Sequence, residues 1–488
     1  MPFSVLKRFG FASCALHRSW THSKAAAPAI QSICGQPKGL TSKPEEAVHQ
    51  QQAGKSKGIR PQAANAQQNH HQPAAIKIKF AFPDETNGRF VNIQWEDGIH
   101  GKFPYVWLRD FATSDRSSYF QSDLVTARLV KLTKLDVNIQ PLEIKITEDG
   151  HMSITWPNAD EPIIYTSNWL RKRNLCEAHF ADRRAQFNTL EQDTVTWDAH
   201  SILAELESPA QWPQLMERDV AFADALQRFI KHGLLLIKNV PQESGQIEVL
   251  DQKLGYMQPS IYGPTFDVRT ELSAPNLAYT THGLTLHTDG PYCDIPPDIQ
   301  VLHCIRDASK GGESEFADSF NVAEKMEREE PELYRILCTV HLEHMNVNLE
   351  ANRAYRFPFI VSAMRPTFEV DPFTRKPKRV TFSEQHRSWY FDTDPRNYPM
   401  VYEALRSFYH YCYKSRQLLR FKMEPGDMVM FNNSRIVHGR AAYEIEAGIT
   451  GGERYLEGCY LQMDPVKSFI RNAMYASDPQ NYSHALFS

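Results

Sequence analysis

Two residues separated by a single threonine open the chemistry of this chain: the string LHTDG carries His287 and Asp289. At the end of an extended strand, residues i and i+2 point to the same side, so an imidazole and a carboxylate converge. The string RIVHGR offers a second imidazole, His438, at the end of an apolar strand preceded by a Pro425-Gly426-Asp427 turn. Two histidines and one carboxylate on one face of a metal leave its other positions open, the facial triad of non-haem iron oxygenases. The short pattern is weak alone, because 19 histidines produce about one such tripeptide by chance. His341-Leu342-Glu343 is a rival of the same form, more simply read as a surface strand. Arg454 lies on the next apolar strand after His438. A guanidinium there can pair bidentately with the far carboxylate of 2-oxoglutarate while its keto acid end chelates iron. The alternative for Arg454 is a structural ion pair, for instance with Glu457.

The elements that must position these groups are mostly strands. IKIKFAF, RFVNIQW, LEIKITE and HMSITW have strand lengths and are separated by turn-forming strings, which predicts a small β-rich domain from Ile76. DVAFADALQRFIKHG has helical periodicity with a glycine stop, and GLLLIKNV reads as a buried strand. NVAEKMEREEPELYRIL and YPMVYEALRSFYHYCYKSRQLL are also helical. Around them lie the strands DIQVLHCIR, ESEFADS, TVHLEHMNV, KRVTFS, LRFKM, DMVMFN, RIVHG and RYLEGCYLQMD. Many strands with a few outer helices predict a β-sandwich or barrel buttressed by helices.

The bulk properties narrow the function class. With 488 residues the chain can bury a large core and more than one domain. A net charge of −4 gives no reason to expect nucleic acid or an anionic membrane as partner. No stretch approaches the roughly 18 consecutive apolar residues of a membrane span. The 8 cysteines show no CxxC spacing, which predicts a reducing compartment rather than a disulfide framework. Residues 1–42 contain no acidic residue but carry Lys7, Arg8, Arg18, Lys24 and Lys38, the composition of a mitochondrial transit peptide leading to the matrix. Residues 43–75 are polar and rich in glutamine and alanine, and read as a disordered linker.

The strings HTDGPYCDIPPDIQVLHCIRDASKGGESEFADSFN, FKMEPGDMVMFNNSRIVHGRAAYE and RYLEGCY, with VWLRD and ITWP upstream, occur in one order. Together they resemble the γ-butyrobetaine dioxygenase and trimethyllysine dioxygenase family of taurine dioxygenase-like oxygenases, and the former more closely. The resemblance implies a small β-rich N-terminal domain at 76–190 and a double-stranded β-helix (jelly-roll) catalytic domain at 191–488. It carries over His287, Asp289 and His438 as iron(II) ligands, Arg454 as the anchor of the cosubstrate 2-oxoglutarate, and Ser314 as a hydroxyl helping to hold it. Ascorbate is the implied reductant, and the family allows a homodimer. A quaternary ammonium donates no hydrogen bond and is held by aromatic faces. Tyr262, Phe266, Tyr279 and Tyr460 fall where the family places such a cage, with Phe266 in place of the usual tryptophan. Asn276 matches a residue that contacts the substrate carboxylate. The implied reaction is 2-oxoglutarate-dependent hydroxylation of a trimethylammonium acid, most simply γ-butyrobetaine to carnitine.

The chain also departs from the family pattern. Gly290 stands where a tyrosine is expected, and Phe382-Ser383-Glu384 where a pair of asparagines is expected. Glu384 suits the α-ammonium of trimethyllysine, which keeps trimethyllysine 3-hydroxylation open as an alternative. A catalytically silent jelly-roll binding protein is the alternative of another class. Ala112, Ser114 and Ser117 replace three zinc-binding cysteines, and Asp160 or a neighbour replaces the histidine. None supplies a thiolate, so no structural zinc is expected.

Overall fold

The strongest strand signals in the chain come from apolar runs such as IQVLHCIR and YLEGCYL, whose two faces must both be covered. In a computed structural model these runs form the middle of a large sheet. The structure describes residues 76–112, 132–175, 190, 194–255, 257–269, 278, 280–350, 357–372, 374–444 and 454–477. The proposed leader and linker lie outside the described residues.

The N-terminal part contains two three-stranded antiparallel sheets. One is β1 (Ile78–Pro83), β2 (Phe90–Trp95) and β3 (His100–Pro104); the other is β4 (Glu143–Ile146), β5 (Met152–Thr155) and β6 (Ile163–Tyr165). Alternation in FVNIQW buries Val91, Ile93 and Trp95 on one side, where they meet Ile154, Trp156 and Leu170. VWLRD, not foreseen as a helix, forms one turn and a half (Tyr105–Asp110). Its buried Arg109 donates to the side chain and carbonyl of Asn158, 3.0 and 3.3 Å away, so VWLRD meets the residue that follows ITWP. Ala112 is fully buried in this core, and Asp160 is exposed. Ser114 and Ser117 lie outside the described residues.

The remainder is a jelly roll. Its six-stranded sheet runs β7 (Ala210–Gln211), β8 (Leu234–Lys238), β20 (Met428–Asn432), β11 (Ile299–Arg306), β23 (Tyr455–Leu461), β9 (Thr265–Arg269). Its four-stranded sheet runs β10 (Leu284–His287), β21 (Ile436–Arg440), β13 (Ser314–Asp318), β19 (Leu419–Phe421). A third sheet, β15 (Phe359–Arg365), β14 (Leu342–Asn348), β18 (Arg387–Phe391), lies between these in sequence. Two ribbons, β12 (Lys310–Gly311) with β22 (Tyr443–Glu444) and β16 (Phe368–Val370) with β17 (Pro377–Val380), complete the strands described.

Helices cover the outer faces. Asp219–His232, Gln246–Leu254 and Met463–Ser477 pack Phe222, Leu250 and Ile470 over the large sheet with Ile299, Val301 and Met430. The first of these ends at Gly233, as its sequence predicts. The segment NVAEKMEREEPELYRIL is two helices, Ser319–Glu329 and Pro331–Thr339. Proline has no N–H and tolerates only the first turn, so Pro331 starts the second helix. Tyr398–Tyr413 packs with this pair over the small sheet. Between the sheets, one region is filled by Phe316, Phe431, Ile436 and Leu456. The rest is a cavity. Among the described residues no helix is long and apolar enough to cross a membrane.

Candidate active site

The two imidazoles are brought together by strand pairing. In the antiparallel β10–β21 ladder His287 is directly opposite His438, and their ring centroids are 4.4 Å apart. Asp289 follows two residues beyond His287, just past the end of β10. His287 Nε2 is 3.3 Å from Asp289 Oδ1, and His438 Nε2 is 3.9 Å from Asp289 Oδ2. The ligand atoms of the three residues all lie within 4.8 Å of one another, and among the described residues this is the one cluster able to hold a metal ion. These three residues would hold a metal ion such as iron(II) on one face and leave its other positions open. The rival pair His341 and Glu343 joins no such cluster.

The turn that carries Asp289 is held by Asn433 and Thr288, which the sequence did not single out, and by the backbone of Phe382. The Asp289 N–H donates to Asn433 Oδ1 at 2.8 Å, and Asn433 Nδ2 donates back to the Asp289 and Pro297 carbonyls. The Thr288 N–H donates to the Phe382 carbonyl, and the Phe382 N–H donates to the Thr288 hydroxyl. His287 Nδ1 donates to the Thr285 carbonyl at 2.8 Å, which turns Nε2 toward Asp289; burial opposes a charged ring, but that carboxylate raises its pKa above the ordinary value, and a metal at Nε2 would take the place of the proton shared with Asp289. Burial opposes ionisation of Asp289, but the hydrogen bond from His287 and the nearby His438 hold its carboxyl well below the usual range. Burial, with His287 beside it, pushes His438 down to about 3, which leaves a neutral imidazole ready to ligate.

The cavity runs from the triad in two directions. Ser314, Arg440 and Arg454 line one end. Ser314 is buried on β13 opposite Arg440 of β21. Arg454, one residue before β23, is 6 % exposed and lies 5.7 Å from the Tyr443 ring centroid. It makes no hydrogen bond or ion pair with the described residues. The alternative partner, Glu457, instead accepts from the Gly245 N–H at 3.1 and 3.3 Å. A buried guanidinium that lines a cavity and pairs with no described carboxylate is a site for an anionic ligand. Arg440 is different: its guanidinium donates to the carbonyls of Ala278, Thr280 and His282 at 2.7–2.9 Å and clamps that segment.

Aromatic rings line the other end. Tyr262 and Phe266 have centroids 5.8 Å apart, and Phe266 and Tyr460 5.0 Å apart. The Tyr460 hydroxyl donates to Asp289 Oδ2 at 2.8 Å, tying this wall to the triad. Gly458 makes the approach possible, since a Cβ there would come within 2.4 Å of the Phe266 ring. Tyr279 and Asn276 lie outside the described residues. Tyr292, Gln300, Gln385 and His386 also line the cavity and were not picked out from sequence.

The departures have structural reasons. Gly290 has φ of +63°, and a Cβ there would meet Pro297 at 2.8 Å, so the expected tyrosine does not fit this turn. Phe382 is core, and Ser383 is 1 % exposed with its hydroxyl 3.1 Å from His386 Nδ1. Glu384 corrects an expectation: it is exposed, lines no part of the cavity and pairs with Arg387 at 3.1 Å.

With this geometry in place, the similarities to known proteins are specific. Residues 198–460, more than half of the chain, match the model of the taurine catabolism dioxygenase TauD, TfdA family. Residues 83–171 match the γ-butyrobetaine hydroxylase-like N-terminal model. γ-Butyrobetaine dioxygenase of Homo sapiens is 29% identical over 381 residues, covering 78% of this chain and 93% of that protein. Its counterpart in Pseudomonas sp. (strain AK-1) is 28% identical over 381 residues, covering 78% and 92%. The mitochondrial trimethyllysine dioxygenase of Homo sapiens is 26% identical over 378 residues, covering 76% and 82%. The metal-binding geometry, the jelly roll and the family match agree: this chain belongs to the taurine catabolism dioxygenase TauD/TfdA family.

Proposed function

We propose that the protein is an iron(II)- and 2-oxoglutarate-dependent dioxygenase that hydroxylates a trimethylammonium acid, with γ-butyrobetaine, giving carnitine, as the substrate. One observation carries this reading: a single cavity holds the His287, Asp289 and His438 cluster between a buried arginine with no carboxylate partner among the described residues and a wall of aromatic rings. The relatives named for γ-butyrobetaine and trimethyllysine supply the substrate class.

In this reading His287, Asp289 and His438 hold iron, and Arg454 with Ser314 holds the far carboxylate of 2-oxoglutarate. Bound iron with 2-oxoglutarate and dioxygen supplies the oxidising power for hydroxylation of a C–H bond, with ascorbate as reductant. The chain supplies placement and shielding. Tyr262, Phe266 and Tyr460 offer ring faces to the quaternary ammonium; Asn276 and Tyr279 complete the substrate site. The Tyr460 bond orients the Asp289 carboxylate, and Thr285 orients His287.

γ-Butyrobetaine is favoured over trimethyllysine by Glu384. The α-ammonium of trimethyllysine needs a carboxylate, and among the described cavity residues the one carboxylate is the iron ligand Asp289. The acid-free leader and the mitochondrial names of the trimethyllysine relatives support a place in the mitochondrial matrix. The test is a panel of trimethylammonium acids assayed for substrate-stimulated succinate formation. γ-Butyrobetaine is expected to give the highest kcat/KM. Preference for trimethyllysine corrects the substrate, and no stimulation by any quaternary ammonium compound rejects it.

A further inference from the structure

The large sheet presents one row of side chains to the metal cluster. Gln300 of β11 stands between Phe431 of β20 and Tyr460 of β23, its direct partners in the two antiparallel ladders. Side chains paired in this way are neighbours on one face, with Cβ atoms about 5 Å apart. Both neighbours touch the cluster. The Phe431 ring centroid is 4.6 Å from that of His438, and the Tyr460 hydroxyl donates to Asp289 Oδ2 at 2.8 Å. Tyr460 also belongs to the aromatic wall, its ring 5.0 Å from Phe266. Gln300 therefore sits at the level where wall and cluster meet. It lines the cavity and is 4 % exposed, yet its amide oxygen has no hydrogen-bond partner among the described residues. The lining residues beyond it on the sheet, Leu302, Leu456 and Val268, are apolar. A buried acceptor of this kind is costly unless a ligand completes it.

We propose that Gln300 recognises the hydroxyl of the hydroxylated product, its amide oxygen accepting the hydroxyl proton. This rests on the reading of the function given above. The other ligand groups of that reading do not suit the amide oxygen. A quaternary ammonium has no proton to donate, and a carboxylate is itself an acceptor. The Arg454 end of the cavity is also remote, because it adjoins the other end of β11, where Arg306 pairs with Tyr455. What passes the cluster is the stretch of substrate that reacts. Before the reaction this stretch bears only C–H bonds and gives the amide no proton. Afterwards it bears an O–H. The ammonium and the carboxylate are the same in substrate and product, so the groups that bind them cannot tell the two apart. Gln300 can, and β11, paired on both sides inside the six-stranded sheet, holds it in place.

The experiment measures equilibrium binding by calorimetry, without dioxygen, on the full chain loaded with iron(II) and 2-oxoglutarate. The ligands are γ-butyrobetaine and carnitine, and the proteins are the parent, Gln300→Met and Gln300→Glu. A neutral hydrogen bond is worth about fivefold in affinity. Gln300→Met, of similar length but without an acceptor, should weaken carnitine by about fivefold and γ-butyrobetaine by less than about twofold. Gln300→Glu keeps an acceptor and adds a charge felt equally by both ligands, so the ratio of the two affinities should stay within about twofold of the parent. An equal effect of Gln300→Met on both ligands, or none on carnitine, overturns the assignment, as does a ratio that falls in Gln300→Glu as far as in Gln300→Met. If Gln300→Met fails to fold, the parent is tested with the carnitine analogue carrying fluorine in place of the hydroxyl. This analogue cannot donate and should bind about fivefold more weakly than carnitine; equal binding overturns the assignment. A parent that binds neither γ-butyrobetaine nor carnitine rejects the substrate reading, and this inference with it. A parent that binds both, with Gln300→Met indifferent, rejects the inference alone.

Discussion

The cavity residues divide by what they hold. Arg454 is buried and has no carboxylate partner among the described residues, which is costly unless a ligand supplies one. Arg454→Gln should raise the KM for 2-oxoglutarate by about a hundredfold, since a charge-assisted bidentate pair is lost. Titration of succinate formation against cosubstrate measures this, and a KM within threefold of the parent rejects the anchor. Tyr460 has two separable parts, a ring facing the cavity and a hydroxyl bonded to Asp289. Loss of a group that orients a metal ligand weakens metal affinity about tenfold or more. Tyr460→Phe should therefore weaken iron binding by about tenfold, measured by iron titration, and leave the KM for the cationic substrate nearly unchanged. An unchanged iron affinity would show that the bond to Asp289 is incidental.

Among the elements, the β10–β21 pair does most for the site, because one register places His287 beside His438. A shift by one residue would turn one imidazole to the opposite face. The segment just before β10 is held by Arg440 through three backbone carbonyls. Arg440→Ala should free residues 278–282, raising amide hydrogen exchange there by about tenfold or more while the exchange of β11 and β23 stays as in the parent. Equal protection in parent and variant would remove the clamp. Asp219–His232 and Tyr398–Tyr413 were legible because a 3.6-residue period extends over several turns, whereas Met463–Ser477 was not foreseen. β9 and β18 were not, because none of the residues of β9 is buried and only Phe391 of β18 is. Such strands exist through pairing with their neighbours, which local patterning does not encode.

At the scale of the molecule, two expectations concern the parts before the jelly roll. Ala112, Ser114 and Ser117 offer no thiolate, and Ala112 is packed in an apolar core. Protein prepared without added metal and stripped of iron should hold less than about 0.1 zinc per chain by elemental analysis; about one zinc per chain would contradict this. The acid-free leader should direct a fluorescent reporter fused to residues 1–45 into mitochondria. Uniform cytosolic fluorescence would exclude that role.

The sequence by itself determined the reaction chemistry and the type of fold. His287 and Asp289 are two apart, so one strand end suffices to bring them together. The apolar runs around Ile299, Met428 and Tyr455 require a sheet covered on both faces, and the ordered strings in the chain carry the resemblance to the family. The tertiary structure alone decided the rest. Asn433 and Thr288 are ordinary polar residues until the fold places them against the turn of Asp289. Glu384 and His386 are two apart in one short string, yet the first faces Arg387 outside the cavity and the second lines it. The side a residue faces in a turn depends on backbone angles and on partners distant in sequence, as Ser383, Met345 and Phe382 show here. Ligand chemistry is local and can be read from spacing; the selectivity of a pocket is set by long-range packing that only the folded chain defines.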